Sequence, residues 1–387
     1  SYETAKWMTT YGVDLIPAMG RQAFKVDGKF RFWGGLALRI NGGGEQLVKN
    51  WHEQMKKVGV DVLYECTAIG LLHDEGEGVH GVRVRYQGQE HDIAAKSVIL
   101  ACGSFESNAE MRARYLGPGW DLAKVRGTAY NNGAGLQMAL DLGAMPYGHF
   151  SGAHAVAWDL NAPPYGDITI GDQFQKHNVP FAVVLNSKGE RFRDEGEDFH
   201  SYVYARYGGE ILKQPGMCAF QIFDAKVQHL LRSEYRCRFL TKYSADTIEE
   251  LAGKIEGMDA ARMIKTIEEF NAACRTDIPF DPNVHDGRCT EGLSINKSNW
   301  ANPIDEPPFD AYAVTAGVTF TFGGVKVSGR TEVERADGSA IKGLYAAGEM
   351  VGGLYFHGYA SGTGLMAGAT FGRIAGREAA VHAGTSN

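Results

Sequence analysis

The sequence contains few cysteines, and their spacing excludes several classes of protein. No CxxC pair occurs in the 387 residues, which argues against a zinc site, an iron–sulfur cluster and a disulfide framework. Reduced cysteines pack as small hydrophobic residues. We therefore predict free thiols, a cytoplasmic location and no metal site. The six cysteines are Cys66, Cys102, Cys218, Cys237, Cys274 and Cys289.

Long apolar runs and basic stripes are also missing from the sequence. No run reaches about 18 apolar residues, so we predict no direct membrane span, and no basic-then-apolar leader opens the chain. The net charge of -7 and the short, mixed basic runs argue against a nucleic-acid partner. Because the chain begins at Ser1 and a helical pattern follows at once, we expect it to be cut from a longer protein.

Glycine, by contrast, is abundant. The chain has 50 glycines, more than an average content of about 7% gives. They cluster without low complexity, which indicates close approach of the backbone to a ligand. The length of 387 residues and the hydrophobic content of 44% allow two domains with sizeable cores.

The periodicity of apolar residues divides the chain into three stretches. Residues 1–149 alternate helix and strand, residues 150–309 indicate an inserted α+β domain, and residues 310–387 return to strand, turn and helix. A chain that leaves and re-enters an α/β core predicts a discontinuous cofactor domain capped by an insertion. The predicted helices are 2–10, 43–58, 133–142, 248–254, 260–273 and 364–380; the predicted strands are 60–64, 68–72, 81–86, 97–101, 323–327 and 343–347, with a hairpin over 181–192.

Several glycine-containing segments are candidates for ligand binding. The GxGxxG at 76–81 lies between two predicted strands and opens no helix, so we interpret it as a hairpin turn. Residues 32–35 and 41–44 precede a helix whose N-terminus suits an anionic or electron-rich ring; a plain tight loop is the alternative. Residues 99–105 form a strand that enters a glycine turn, where α/β proteins bind cofactors, although a simple strand exit has the same pattern.

The C-terminal run is the most informative. A predicted strand ends in Gly348-Glu349, a glycine-rich loop follows, and the helix beginning near Gly364 has small residues in its first turn. Such an arrangement can hold a ribityl chain with a carboxylate and set a helix N-terminus at an electron-accepting ring.

These residues resemble a known family. Gly348-Glu349 with Gly352-Gly353, and the ending at 371–376, look like the FAD-binding C-terminus of the fumarate reductase/succinate dehydrogenase flavoproteins. Residues 128–136 resemble that family's Thr-Gly-Asp-Gly loop beside the flavin, with Ala134 where aspartate is usual. The resemblance covers essentially the whole chain, but the family's N-terminal βαβ unit with its GxGxxG is not found in this sequence.

Within the superfamily, the chain is most similar to tricarballylate dehydrogenase and to the flavoprotein-type precorrin-3B synthase. The segments that carry this similarity are 20–24, 28–35, 189–192 and 320–324. The resemblance implies FAD and a discontinuous, Rossmann-like α/β FAD-binding domain (1–149 and 310–387) with an inserted α+β capping or substrate domain (150–309). The cofactor-binding residues that it and the glycine segments predict are Trp33, Gly34, Gly35, Asn41, Gly42, Gly43, Gly44, Thr67, Ala68, Ala101, Cys102, Gly103, Asn132, Gly133, Gly135, Gly348, Glu349, Gly362, Thr363, Gly364 and Leu365.

The catalytic positions depart from those of fumarate reductases. The position of their proton-shuttling arginine falls at Phe199, their second histidine becomes Thr319 or Phe320, and a substrate arginine becomes Tyr359. His154 does fall where their first substrate histidine lies. These departures disfavour fumarate reduction of the family's usual kind. Tyr359 has a parallel in 3-ketosteroid Δ1-dehydrogenases, where a tyrosine in a similar setting acts near the flavin.

The resemblance therefore predicts desaturation of a carbon pair next to a carboxylate or carbonyl, as in a tricarballylate-like polycarboxylate. A base removes the α proton while the β hydride passes to flavin N5. Tyr359 and His357 are the candidate bases, although with Tyr355 they also fit an ordinary strand face. The predicted substrate-binding residues are His154, which is also a catalytic candidate, Arg191, Arg193, His200, Tyr202 and Thr319.

Two of these residues have structural alternatives. Arg191 fits a solvated hairpin tip, and His154 fits a hydrogen-bonded structural histidine. For the whole chain, an oxygen-using flavoprotein and a cofactor-free fragment remain as alternatives to the dehydrogenase. A membrane-bound iron–sulfur protein is the electron-transfer partner that the tricarballylate-type resemblance implies.

Overall fold

A computed structural model describes residues 1–19, 23–32 and 38–384. The helices in these ranges are Tyr2–Thr10, Gly43–Lys57, Ala109–Leu116, Ala134–Asp141, His200–Val203, Tyr207–Leu212, Ile248–Lys254, Ala260–Ala273 and Thr363–His382. The strands are β1 (Leu15–Pro17), β2 (Ala23–Val26), β3 (Lys29–Phe32), β4 (Leu38–Ile40), β5 (Cys66–Asp74), β6 (Gly78–Tyr86), β7 (Gln89–Ala94), β8 (Val98–Leu100), β9 (Lys124–Val125), β10 (Pro146–Asp159), β11 (Val183–Leu185), β12 (Ala219–Phe223), β13 (Lys242–Ala245), β14 (Phe309–Val325), β15 (Glu332–Glu334) and β16 (Ala340–Ala346).

The long strand β14 is the centre of the largest sheet. The order of that sheet is β10-β14-β12-β11, and β13 and β9 also pair with β14. Nearly every residue of β14 is buried, as expected for an apolar strand covered on both faces. Gly317 allows the close approach of Trp158, because a Cβ at Gly317 would lie 2.7 Å from the indole Cγ. The sheet is therefore a rigid platform on which β9 and β10 can position side chains.

A smaller, partly parallel sheet lies on the cofactor side. Its order is β15-β16-β8, and β16 runs parallel to β8 with Ala346 opposite Leu100. Because the carboxyl ends of parallel strands meet at one edge of a sheet, the loops that begin at Ala101 and Ala347 lie side by side. Helix Thr363–His382 packs against β16 through Tyr345 and Ala375. Mixed α/β and α+β architecture is confirmed.

Most predicted elements are present, with some differences. The helices predicted over 2–10, 248–254 and 260–273 have the predicted bounds, and 76–81 opens β6 after the turn from β5, as interpreted. The strand predicted over 60–64 is wrong, since these apolar residues are exposed and pair with no strand of the described chain. The hairpin over 181–192 is reduced to β11 and a single bridge between Leu185 and Arg191.

The large sheet also crosses both proposed domain borders. β10 spans the border at 149/150 and β14 the border at 309/310, so both strands continue into the cofactor side. The three-way division stays a proposal. Within the described ranges, no helix is both long enough and apolar enough to traverse a bilayer.

Candidate active site

His154 lies at the centre of a buried aromatic cluster. It is on β10 opposite Phe320 of β14, beside an irregularity in the strand register. Its ring centroid lies 4.9 Å from that of Tyr204, 5.1 Å from Phe320 and 4.7 Å from Tyr359. The side chain is 1% exposed, and neither ring nitrogen has a hydrogen-bond partner among the described residues. Burial, and then the positive charge of Arg126, hold the pKa of His154 well below its usual value, so the imidazole is neutral.

Tyr359 connects this cluster to a helix N-terminus. Its Oη accepts a hydrogen bond of 3.1 Å from the backbone N–H of Gly364, the second residue of helix Thr363–His382. The positive end of a helix favours negative charge at such a position. Burial, and then the proximity of Tyr359, raise the pKa of the neighbouring Tyr204 to about 12, so that phenol stays protonated. Tyr359 is thus the tyrosine that this geometry equips for accepting a proton.

Arg126 is a component of the site that the sequence patterns did not reveal. It follows β9, and its guanidinium bonds both carboxylate oxygens of Asp172 at 2.7 and 2.6 Å. It also donates to Gln175 Oε1 at 3.1 Å and to Thr319 Oγ1 at 3.3 Å. Its one signal in the sequence was its position just before the flavin-loop resemblance at 128–136.

A pair of carboxyl groups lies on the cofactor side of the cluster. Thr321 donates its backbone N–H to Glu349 Oε1 at 2.7 Å, and Asn131 donates to Glu106 Oε1 at 2.5 Å. The two carboxyl groups are close enough to influence each other's ionisation. Burial, followed by the charge of Glu106, raises the pKa of Glu349 well above normal. Burial likewise raises the pKa of Glu106.

Three cavities adjoin these groups. One of about 240 Å³ is lined by Tyr359, Glu349 and Leu365 among others. A second of about 700 Å³ includes Gly362 and Thr363. The third, of about 670 Å³, brings together a set of residues that lay apart in the sequence: Thr67, Ala68, Ala101, Cys102, Asn132 and Gly135.

The cavities and their glycines fit the flavin and ribityl parts of FAD. A Cβ at Gly348 or Gly362 would meet nothing within 4 Å, and both glycines have positive φ. The backbone there can closely approach a ligand, next to the Glu349 carboxyl and a helix N-terminus. Gly43 and Gly44, at the start of helix Gly43–Lys57, are open in the same way.

Other predicted cofactor residues have roles within the protein. A Cβ at Gly103 would lie 2.5 Å from Asn131 Nδ2, and one at Gly135 would lie 2.0 Å from Cys102 Sγ, so a side chain at either position would force these neighbours to move. Asn41 donates to Asp14 Oδ2 at 2.9 Å. Gly42 and Gly133 are the left-handed residues that precede two helices. Trp33, Gly34 and Gly35 lie outside the described residues.

The structure does not bring Arg191 and Arg193 to the His154 cluster. Arg191 is buried rather than solvated, and it binds Glu195 through Nε and Nη2 at 3.0 and 2.5 Å. It also packs over Phe270 in a separate core. Arg193 pairs with Glu197 and covers the ring of Tyr207. Both side chains thus have partners within the fold, and a substrate role for Arg191 and Arg193 stays a prediction.

Of the remaining predicted catalytic and substrate-binding residues, some contact the site and others do not. Thr319 meets Arg126, and His200 contacts the outer face of Tyr204 at a ring distance of 5.4 Å. Tyr202 is 45% exposed and contributes no ring contact to the cluster. His357 is exposed, and its ring contacts His149 and Phe356 rather than Tyr359; residues 355–359 form no regular strand, so the strand-face interpretation is wrong.

The fold and the site are those of an FAD-binding flavoprotein. The family model described as "FAD binding domain" matches residues 2–365, and the chain belongs to this family, within the fumarate reductase/succinate dehydrogenase flavoprotein superfamily. The prediction of FAD as the cofactor is confirmed. No group of three histidine, cysteine or carboxylate side chains suited to a metal ion occurs in the part of the chain that is described.

Several flavoproteins are similar along nearly the whole chain. A probable fumarate reductase of Shewanella frigidimarina is 29% identical over 99% of this chain and 60% of its own length. A 3-oxosteroid 1-dehydrogenase of Mycobacterium tuberculosis is 28% identical over 94% of this chain and 67% of its own. The open structure of a flavocytochrome c3 fumarate reductase superposes with a TM-score of 0.73 at 25% identity, covering 98% of this chain and 62% of that one. The chain thus spans about 60% of the length of the fumarate reductases it matches.

Proposed function

We propose that this protein is a flavin-dependent oxidoreductase that desaturates a carbon pair next to a carboxylate or carbonyl, with a tricarballylate-like polycarboxylate as substrate. One observation carries the proposal. Tyr359 has its Oη at the N-terminus of helix Thr363–His382, contacts the buried His154, and lines the same cavity as Glu349. The candidate base and the cofactor carboxyl therefore adjoin one cavity, and the candidate substrate donor packs against the ring of that base.

The bound FAD supplies the acceptor for a hydride, and the residues of the chain orient the substrate and move the proton. Tyr359 takes the α proton, because the N–H of Gly364 and the helix end stabilise negative charge on Oη. His154 is neutral, as its lowered pKa implies, so it serves as a hydrogen-bond donor to a substrate oxygen. Tyr204, whose pKa of about 12 keeps it protonated, packs against both rings and excludes water.

The relatives support hydrogen transfer at a carbon pair. One is by name a fumarate reductase and another a 3-oxosteroid 1-dehydrogenase, and both reactions add or remove hydrogen next to a carboxylate or carbonyl. We also propose a cytoplasmic location and reoxidation of the flavin by a membrane-bound iron–sulfur partner; both rest on the resemblance to tricarballylate dehydrogenase.

Anaerobic mixing of the FAD-loaded protein with tricarballylate tests the function. We expect loss of the flavin absorbance and a product two hydrogens lighter by mass spectrometry. A product that carries labelled oxygen, formed only when O₂ is present, would favour an oxygen-using flavoprotein instead. Retained flavin that no polycarboxylate or ketone bleaches would contradict the proposal.

A further inference from the structure

The two ring nitrogens of His154 have an unmet hydrogen-bonding requirement. A neutral imidazole has one donor and one acceptor, and buried polar atoms in proteins are nearly always hydrogen-bonded. Here both nitrogens are buried without a partner among the described residues. The hydroxyl of the adjacent Tyr359 is directed to Gly364 instead. An oxygen atom that is not part of the chain is the simplest partner for His154.

The guanidinium of Arg126 contributes a further unused donor to the same region. Of its five N–H groups, one from Nε and two from Nη2 bond Asp172 and Gln175, and one from Nη1 bonds Thr319. One Nη1 hydrogen therefore has no acceptor within the described ranges. Thr319 precedes Phe320, which pairs with His154 across β10 and β14, so the guanidinium reaches the edge of the aromatic cluster. Its charge also acts on His154, Tyr204 and Tyr359.

In the ion pair of Arg126 with Asp172, the carboxylate is the more exposed member and the guanidinium the more buried one. The side chain of Asp172 is 40% exposed, whereas that of Arg126 is 15% exposed. Asp172 is consequently the more solvated member, whereas the buried charge of Arg126, which acts on His154, is less screened by water.

We propose that Arg126 is a substrate-binding residue that, with His154, holds one carboxylate of the substrate beside Tyr359. This inference rests on the proposed function. Arg126 and His154 each supply one N–H to the carboxylate, while Asp172 and Gln175 fix the guanidinium. The anchored carboxylate places the adjacent carbon at Tyr359. A cation at this position selects an acid over the corresponding neutral ester.

Equilibrium binding of tricarballylate and of its trimethyl ester to the FAD-loaded protein tests this assignment by calorimetry. Replacing Arg126 by glutamine (Arg126→Gln) should weaken binding of the acid by roughly 10- to 100-fold, the usual range for a lost charged hydrogen bond. The ester should change by less than about threefold. Arg114→Gln is the matched control, because Arg114 is exposed and forms its ion pair with Glu110 on its own helix. Arg126→Lys should retain part of the preference for the acid, since it keeps the charge but not the planar fork.

A double variant separates binding from misfolding. Arg126→Gln removes the guanidinium that pairs with Asp172, whereas Arg126→Gln with Asp172→Asn removes both charges. The inference requires the double variant to fold and to show the same loss of acid binding. Equal binding of the acid by Arg126→Gln and Arg114→Gln, or no binding by the wild type, would overturn it.

The ring ¹⁵N signals of His154 give a readout that does not depend on turnover. We expect a neutral ring at neutral pH in the ligand-free wild type, and a change in the signals on addition of tricarballylate. In Arg126→Gln that change should be lost. If tricarballylate binds in an Arg126-dependent way but does not bleach the flavin, the proposed function is contradicted and this inference stands. If tricarballylate binds and bleaches the flavin equally well in Arg126→Gln, the proposed function stands and this inference is contradicted.

Discussion

Two buried regions of the molecule use polar side chains in opposite ways. The guanidinium of Arg191 finds its partners within the chain: it binds Glu195 and the carbonyl of Ile295, and it packs over Phe270. Around His154, two buried nitrogens find none among the described residues. The difference is informative, because an internally satisfied charge holds a fold together, whereas an unsatisfied polar group needs something from outside the chain.

The contrast gives a rule for assigning roles in this protein. Substitutions near Arg191 should change stability more than chemistry, and substitutions near His154 should change chemistry more than stability. Both halves of that rule can be tested with single substitutions, beginning with the largest expected effect.

Removal of the Tyr359 hydroxyl gives the most severe test of the His154 region. Tyr359→Phe should slow flavin reduction by about 10²- to 10⁴-fold, the usual contribution of a positioned general base. The free energy of unfolding should change by about 1 kcal/mol or less, since a single hydrogen bond from Gly364 is lost. Stopped-flow absorbance and urea unfolding measure the two quantities. Tyr355→Phe, from the same cavity wall, is the control; equal rates in the two variants would remove Tyr359 from its role.

Removal of Arg191 tests the other region. Arg191→Met should lower the free energy of unfolding by about 3 to 5 kcal/mol, because Glu195 is left as a fully buried charge without its partner. Arg191→Met with Glu195→Leu should recover much of that loss. If Arg191→Met is as stable as the wild type but fails to bind tricarballylate, then Arg191 belongs to the substrate site and the contrast fails.

His154→Leu sharpens the comparison, because it deletes polar atoms that have no partner within the described chain. We expect the free energy of unfolding of the ligand-free protein to stay equal or to rise by about 1 kcal/mol, since an unsatisfied buried group is removed. Binding of tricarballylate should weaken in the same variant. A large loss of stability in chemical denaturation would instead identify His154 as a structural residue.

The Glu106–Glu349 pair predicts a dependence of stability on pH. Both carboxyls have folded-state pKa values above their unfolded values, so the folded state binds more protons. Stability is therefore greatest below the unfolded pKa of about 4.3 and is lost as the pH rises toward the raised folded pKa. Glu106→Gln should reduce that loss by about 1 kcal/mol or more, because Glu349 then ionises without a like charge beside it. Urea unfolding at pH 5 and pH 8 measures this, and an unchanged difference between the two pH values would exclude the coupling.

The sequence predicts those features of the fold that depend on residues close together along the chain. Helices 248–254 and 260–273 follow from the periodicity of apolar residues, and the structure adds their caps, Thr247 and Asp259, whose side chains accept backbone N–H groups. The segment 60–64 has the composition of a strand, but no neighbour pairs with it in the described chain, and composition does not report pairing.

Only part of the site can be predicted from the sequence, because only some of its residues are close together along the chain. Glu349, Gly364 and Tyr359 belong to one contiguous run, so a resemblance could identify them. Arg126 reaches the site through the parallel pairing of β9 with β14, and its bond to Thr319 joins residues 193 positions apart. The glycines 103 and 348 look alike in the sequence, yet Gly103 lies against the side chain of Asn131 and Gly348 opens into a cavity.

All of this chemistry depends on the retention of FAD. The direct measurement is the visible spectrum of the protein, taken after incubation with FAD and removal of the unbound cofactor. We predict retained flavin, with bands near roughly 370 and 450 nm, since the cavities beside Glu349 and Gly362 fit the flavin and ribityl groups. A colourless protein whose thermal unfolding midpoint FAD does not raise would contradict the assignment of these cavities and the chemistry that rests on them.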